Sequence, residues 1–181
     1  MTGLPASGKT SLGRQLADGL GWPCLDKDDF LETLYNDQPV LDMTMRRRLS
    51  QESDVLFRDA AAECHCVVLI SHWAPRGGDG STDTPTGWIG GHFDRVIELH
   101  CACPPEIAIR RFCARRRHPS HLDHLRPPHQ VERWVRGLTG GYPLGLGQVR
   151  SVRSDIPPDI EGLLAQVDAM LAESWSIKTE M

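Results

Sequence analysis

The sequence predicts an α/β fold of three layers, with helices packed on both faces of a parallel sheet. Three observations carry this expectation. Helical and extended hydrophobic patterns alternate along the chain, as crossover connections between parallel strands require. Val67-Val68-Leu69-Ile70 is an uninterrupted apolar run, the signature of a strand buried on both faces. Finally, Gly3-Leu4-Pro5-Ala6-Ser7-Gly8-Lys9-Thr10 matches G-x-x-x-x-G-K-[ST], the phosphate-binding P-loop that leads from a strand into a helix. A length of 181 residues suits one domain with a real core, and no repeat or linker divides it, so residues 1–181 are expected to form a single unit.

The elements follow in order. Leu12, Leu16, Ala17 and Leu20 form a helical apolar stripe after the loop, closed by Gly19 and Gly21 before Pro23. Trp22 to Leu25 is short and extended and ends in the acidic cluster Asp26-Lys27-Asp28-Asp29, with a helix expected from Phe30 to Tyr35. A longer helix spans Met43 to Ala62, with Met45, Leu49, Leu56 and Ala60 near one face. The strand at 67–70 delivers Ser71, His72 and Trp73 to its end, where Trp73 is either a wall of a pocket or a core residue. Residues 74–94 are rich in glycine and read as a long loop. A strand over Arg95–Cys101 follows, then a helix opened by Pro104 and Pro105 and running to about Arg117. The His-rich segment 118–129 is expected to be a polar, solvated lid, since Pro119 is incompatible with one regular helix. A short helix near Val131–Leu138, a strand over Gln148–Val152 and a helix capped by Asp159 through about Trp175 complete the chain.

The P-loop specifies its ligand by physical means. Its glycines let successive N–H groups point inward at a polyphosphate. Lys9 adds positive charge at the outer phosphates, Thr10 offers a hydroxyl to Mg²⁺, and the helix N-terminus faces the anion. Gly3, Pro5, Ala6, Ser7, Gly8, Lys9, Thr10 and Ser11 are therefore the candidate nucleotide contacts, joined by Arg115. Ligands of open α/β sheets sit beyond the carboxyl ends of strands, which places Asp26 and Asp28 beside the loop. Phosphoryl transfer needs a group to accept the proton of an attacking hydroxyl and a carboxylate near the metal, and at i, i+2 spacing one of the two can approach the metal while the other faces the acceptor. An acidic helix cap is the alternative for Asp28 or Asp29. Five arginines cluster at 110–117; on a helix Arg111 and Arg115 share a face, as do Arg110 and Arg117. Arg111 and Arg115 are the candidates for stabilising charge on the transferred group, from a lid at about 110–129.

These motifs together resemble the small P-loop kinases of the nucleoside-monophosphate-kinase type. The nearest likeness is to the chloramphenicol phosphotransferase, zeta-toxin and polynucleotide 5′-kinase branch, carried by residues 3–10, 26–30 and 110–117. The resemblance implies a P-loop NTPase fold, ATP and Mg²⁺ as cofactors, Asp28 as general base, and transfer of the γ-phosphate to a hydroxyl of a small molecule. A polynucleotide 5′-hydroxyl acceptor and a non-catalytic ATP-binding remnant are the alternatives. Shikimate and gluconate kinases are more distant likenesses, and their acidic pair implies Asp26 at the metal and Asp28 at the substrate. Two departures stand out. Such kinases carry an acidic residue near the end of the third strand, where this chain has Ser71-His72. The P-loop also begins at residue 3, so most of the first, central strand is expected to be lacking.

Charge narrows the partners. A net charge of −4 gives no basic field for nucleic acid, and no apolar run reaches membrane-spanning length, so a cytoplasmic protein is expected. The six cysteines then read as reduced thiols, and the one-residue spacing within Cys64-x-Cys66 and Cys101-x-Cys103 is too short for a usual zinc pair.

Overall fold

A computed structural model of the chain describes residues 1–37, 42–75 and 83–179. Helix α1 (Lys9–Leu20) buries Leu12, Leu16 and Ala17, the stripe expected, and the Gly21 N–H closes it on the Ala17 and Asp18 carbonyls. Strand β1 (Cys24–Asp26) runs straight into α2 (Lys27–Asp37). This helix starts three residues before Phe30 because Asp26 Oδ1 accepts the Asp28 N–H at 3.1 Å and caps the first turn.

Helix α3 (Met43–Ala62) begins at Asp42, whose carboxylate accepts the Met45 N–H at 2.8 Å. Its buried row is Leu49, Ser53, Phe57 and Ala61, whereas Leu56 is 41% exposed. The expected face through Leu56 and Ala60 is therefore rotated. Aromatic packing sets the rotation: the Phe57 ring meets Phe30, Trp73 and Trp88 at centroid distances of 6.0, 5.8 and 6.3 Å.

Strand β2 (Val68–Ile70) is followed by the glycine-rich segment, of which residues 76–82 lie outside the described residues. The remainder is not simply loop. Thr84 bridges to Trp73, and a short helix α4 (Ile89–His92) follows. Then come β3 (Ile97–Ala102), α5 (Pro105–Ala114), α6 (Pro128–Gly137), β4 (Gln148–Arg153) and α7 (Ile160–Thr179). Asp159 caps α7 as expected, accepting the Gly162 N–H at 3.0 Å.

All strand pairs are parallel. β1 pairs with β2, and β3 with β4. Between the two pairs lie Met1 and Thr2. The Met1 ammonium donates to the Leu69 carbonyl at 2.8 Å. Thr2 donates its N–H to Leu99 and accepts that of Cys101, both at 2.9 Å. The spatial order is thus β1, β2, Met1–Thr2, β3, β4. Met1 and Thr2, immediately ahead of the loop, hold the central position of the sheet.

On one face, Leu12 and Leu16 of α1 and Leu163 and Val167 of α7 pack over Met1, Ile70, Leu99 and Cys101. Phe57, Trp73, Ile89 and Leu144 form the core of the other. Trp73 is a core residue, 2% exposed, with its indole N–H bonded to the Met1 carbonyl at 2.8 Å. Leu4 joins Ala108, Phe112, Val131 and Val135 between α5 and α6, so the loop itself is anchored in a core. Glu98 is also buried, and its carboxylate accepts the Thr2 hydroxyl and the N–H groups of Leu144, Gly145 and Leu146. Among the described residues no helix is long and apolar enough to cross a membrane, and no metal-binding cluster of His, Cys, Asp and Glu occurs.

The buried terminus has a measurable consequence. Burial pushes the Met1 ammonium down from 8.0 to about 6. A group that binds its proton less tightly when folded leaves stability intact above pH 8 and lowers it as pH falls toward 6. Denaturant melts of the 181-residue chain should lose on the order of 2 kcal/mol across that window. N-terminal acetylation should remove most of the loss.

Candidate active site

The loop is shaped by two glycines whose positive φ angles disfavour a side chain. Gly3 has φ +130°, and a Cβ there would sit 2.7 Å from the Cys101 carbonyl oxygen. Gly8, at φ +94°, is the N-cap of α1 and leaves the first N–H groups of the helix without a side-chain cap. Those donors and the helix dipole face the loop interior. Lys9 is buried, its ammonium donating to the Gly3 and Leu4 carbonyls at 3.0 and 2.9 Å. Burial lowers its pKa to about 8. Pro5 and Ser7 are buried, Ala6 takes a positive φ of 58°, and Ser11 is exposed at the first turn of α1.

Thr10 and Asp26 meet directly. The hydroxyl donates to Asp26 Oδ2 at 2.7 Å, while Oδ1 holds the start of α2. Burial, followed by the nearby Asp28 charge, raises the Asp26 pKa. Two hard oxygens side by side, one of them anionic, fit Mg²⁺, which takes few protein ligands and otherwise keeps water and phosphate oxygens.

Asp28 lies at the mouth of this site, beneath the segment that follows α5. Burial works to raise its pKa, but Arg117, His121 and Arg115 outweigh it and hold the carboxyl below the usual range. Arg117 forms an ion pair with Asp28 and reaches Asp123 at 3.6 Å. Arg115 pairs with Asp123 at 3.3 Å. His121, 2% exposed, lies 4.0 Å from Asp28 and bonds Glu32 at 2.8 Å.

These contacts correct two expectations. The arginines do not share helix faces across 110–117, because α5 ends at Ala114 and Arg115 is extended (φ −73°, ψ 148°). Extended backbone is also what the residue before Pro119 prefers, and it lets Arg115 and Arg117 both reach Asp123. The His-rich segment is not simply solvated either, since Ser120 and His121 are buried and two short 3-10 turns replace a helix.

Of the five arginines, Arg110 and Arg116 are exposed. Arg111 donates to the Ser154 carbonyl at 2.7 Å and stands on the Ser154 side of the loop rather than at Asp28. Arg115 is pushed down to about 10, first by burial and then by the Arg117 charge. Its Nε–H, like that of Arg46, is buried without a hydrogen-bond partner among the described residues. Arg46 and Arg117 both act electrostatically on Arg126, whose guanidinium stacks 4.7 Å above the Trp134 ring. Several arginines are thus gathered with Asp28, Asp123 and Glu32 in one charged cluster. At the end of β2, where an acidic residue is lacking, Asp83 approaches His72 Nε2 to 3.2 Å.

Several of these residues escape sequence reasoning. Glu32 had a signal, standing four residues after Asp28 on the same face of α2. Arg46, Asp83 and Arg126 had none, because only tertiary folding brings them near.

No family model matches the chain. The "Probable gluconokinase" of Xenopus tropicalis is 27% identical over 161 residues, covering 74% of this chain and 80% of that protein. Among solved structures, a protein from Chloroflexus aurantiacus taken to be a kinase superposes with a TM-score of 0.65 at 21% identity, covering 93% of this chain and 92% of that one. Shikimate kinase from Bacteroides thetaiotaomicron gives 0.56 at 17% identity, covering 94% and 96%. A gluconokinase from Sinorhizobium meliloti gives 0.51 at 17%, covering 98% and 94%. The fold is therefore the three-layer α/β/α P-loop architecture. These comparisons lend the chloramphenicol phosphotransferase, zeta-toxin and polynucleotide kinase likeness no support beyond that shared fold.

The Asp28 ion pair can be tested directly. Arg117→Ala leaves the carboxyl partly buried with its strongest counter-charge removed, so its pKa should rise. Carboxylate titration by NMR reads the shift, and an unmoved Asp28 would show that Arg117 does not hold it.

Proposed function

We propose that this chain is an ATP-dependent phosphotransferase that moves the γ-phosphate to a hydroxyl of a small, anionic acceptor. The observation that carries the reading is the convergence of three parts: the open loop at α1 with Lys9, the Thr10–Asp26 pair, and Asp28 under Arg115 and Arg117.

In this reading the loop N–H groups and Lys9 bind the phosphates, and Lys9 leaves the Gly3 and Leu4 carbonyls to do so. Thr10 and Asp26 hold Mg²⁺, which supplies charge neutralisation at the phosphate oxygens. Asp28, ionised at neutral pH, accepts the proton of the acceptor hydroxyl as that oxygen bonds to phosphorus and the bond to ADP breaks. Arg117 must release Asp28 for this, and with Arg115 it moves onto the charge developing on the phosphoryl oxygens. Residues 110–129 act as the lid, and Arg111 holds the chain beside the loop through Ser154.

The anionic acceptor is favoured by the crowded arginines. Like charges held together with an unpartnered Nε–H on Arg115 and on Arg46 are relieved by a bound anion. Gluconate and shikimate, named in the descriptions of the similar proteins, are both hydroxy acids. A sugar acid is therefore the first acceptor class to try.

An ATP-consumption screen over hydroxy acids, neutral sugars, hydroxyl-bearing antibiotics, nucleosides and oligonucleotide 5′ ends should give turnover with a hydroxy acid. Asp28→Asn should lower it by about 10²- to 10⁴-fold. Turnover with no acceptor above water, or an unimpaired Asn variant, would sink the mechanism.

Lys9 predicts a second result. Its proton is lost above about pH 8 in the nucleotide-free protein, while bound phosphate retains it. ATP affinity, measured by calorimetry, should therefore fall about tenfold per pH unit above 8. Lys9→Met should bind weakly and without that slope.

A further inference from the structure

One imidazole is wedged between two carboxylates of α2. The side chain of His121 is 1% exposed, and its Nε2 bonds Glu32 Oε1 at 2.8 Å. Its Nδ1 lies 4.0 Å from Asp28 Oδ1 and has no hydrogen-bond partner among the described residues. Asp28 and Glu32 stand one helical turn apart, so a single ring reaches both. Arg117 holds the other oxygen of Asp28, Oδ2. The charged groups facing His121 are thus Asp28 and Glu32 from α2 and Arg117 from the segment after α5, with His118, Asp123 and His124 on its own segment.

These contacts set the state of the ring. Burial, then the Arg117 charge, holds its pKa below the usual value, so the ring is neutral while Arg117 is in place. A neutral imidazole carries one N–H. Glu32, the closer carboxylate, accepts it, which turns the Nδ1 lone pair toward Asp28. Departure of Arg117 reverses the balance. The guanidinium no longer repels a second proton on the ring, and Asp28 is left with its principal counter-charge gone. Both changes favour the imidazolium. A shift of about 1 Å then brings Nδ1–H within hydrogen-bond range of Oδ1.

We propose that His121 is a positioning residue, the replacement counter-ion for Asp28: it takes a proton when Arg117 moves to the phosphate and bonds Oδ1, leaving Oδ2 open to the acceptor hydroxyl. Arg117 leaves Asp28 in the transferase reading above, on which this role rests. The proton comes from solvent by way of Glu32, which is 36% exposed, and returns there when Arg117 comes back. A guanidinium keeps its proton at all working pH values, so Arg117 alone either blocks the carboxylate or leaves it bare. An imidazole beside it supplies positive charge only while Arg117 is away. Asp28 thereby stays ionised with one oxygen free.

Titration of the His121 ring by NMR tests this role in the full chain without nucleotide. Arg117→Ala should raise the proton affinity of the ring at least about tenfold. Glu32→Gln, a change at a partly exposed position, should lower it severalfold. An unmoved ring in either variant overturns the proposal. The Asp28 pKa should rise further in Arg117→Ala/His121→Gln than in Arg117→Ala alone, because nothing then replaces the lost charge. Equal values overturn it as well. Calorimetry of Mg²⁺ and AMP-PNP binding, in buffers of different ionisation enthalpy, then counts protons at about pH 7. The chain should take up a fraction of a proton that His121→Gln loses, Lys9 contributing equally to both, and equal uptake overturns the proposal. A chain that binds no nucleotide fails the transferase reading instead, and the ring titration still decides the role of His121.

Discussion

Among the described residues, the backbone hydrogen bonds that join the two halves of the sheet run through Met1 and Thr2. These residues hydrogen-bond both neighbours, and Trp73 and Glu98 lock them from above and beside. Everything at the candidate site hangs from this junction. The P-loop leaves it at Gly3, Lys9 returns to its carbonyls, and β1 and β2 bring Asp26 and His72 to the same edge. A parallel sheet that is buried on both faces normally secures its central strand by a full ladder of bonds. Here Met1 and Thr2 hold that position through hydrogen bonds and a cluster of buried side chains, so the geometry of the loop is coupled to them.

The site is organised by clustered charge. Asp28, Asp123 and Glu32 face Arg115, Arg117 and His121, with Arg46 and Arg126 behind. Because these groups are partly withdrawn from water, their interactions are stronger than those of a surface network. The same ion pair that orders the lid also occupies the carboxylate proposed as base. An arrangement of this kind is a closed state that must rearrange for transfer, and an incoming phosphate is the natural competitor for Arg117. In the proposed reaction, the segment that carries Arg117 would link binding of the nucleotide to release of Asp28.

The charged cluster beside Asp28 is assembled from distant parts of the chain. Arg46 comes from α3, Asp83 from the glycine-rich segment, Arg126 from the lid and Trp134 from α6. Arg126 stacks on the Trp134 ring and is acted on by the charges of Arg46, Asp123, Arg117 and Asp83. The −4 net charge of the whole chain gives no sign of this local gathering of arginines.

The sequence by itself determined the fold class, the phosphate loop and the acidic pair after β1. Each depends on neighbours within a few residues: glycines that open the loop, apolar periodicity, and carboxylates placed directly at a strand end. The cap at Asp159 was legible for the same reason. Only the tertiary structure decided that α3 turns Phe57 inward, that α5 stops at Ala114, that His121 is buried, and that Arg117 rather than Arg111 meets Asp28. These outcomes depend on which distant surfaces pack together and which charges lose water. Residues 1–4 show both sides of that division. The motif announced a loop, but that Met1 and Thr2 take the central place in the sheet follows from hydrogen bonds to strands some 70 and 100 residues away, and no local pattern encodes those.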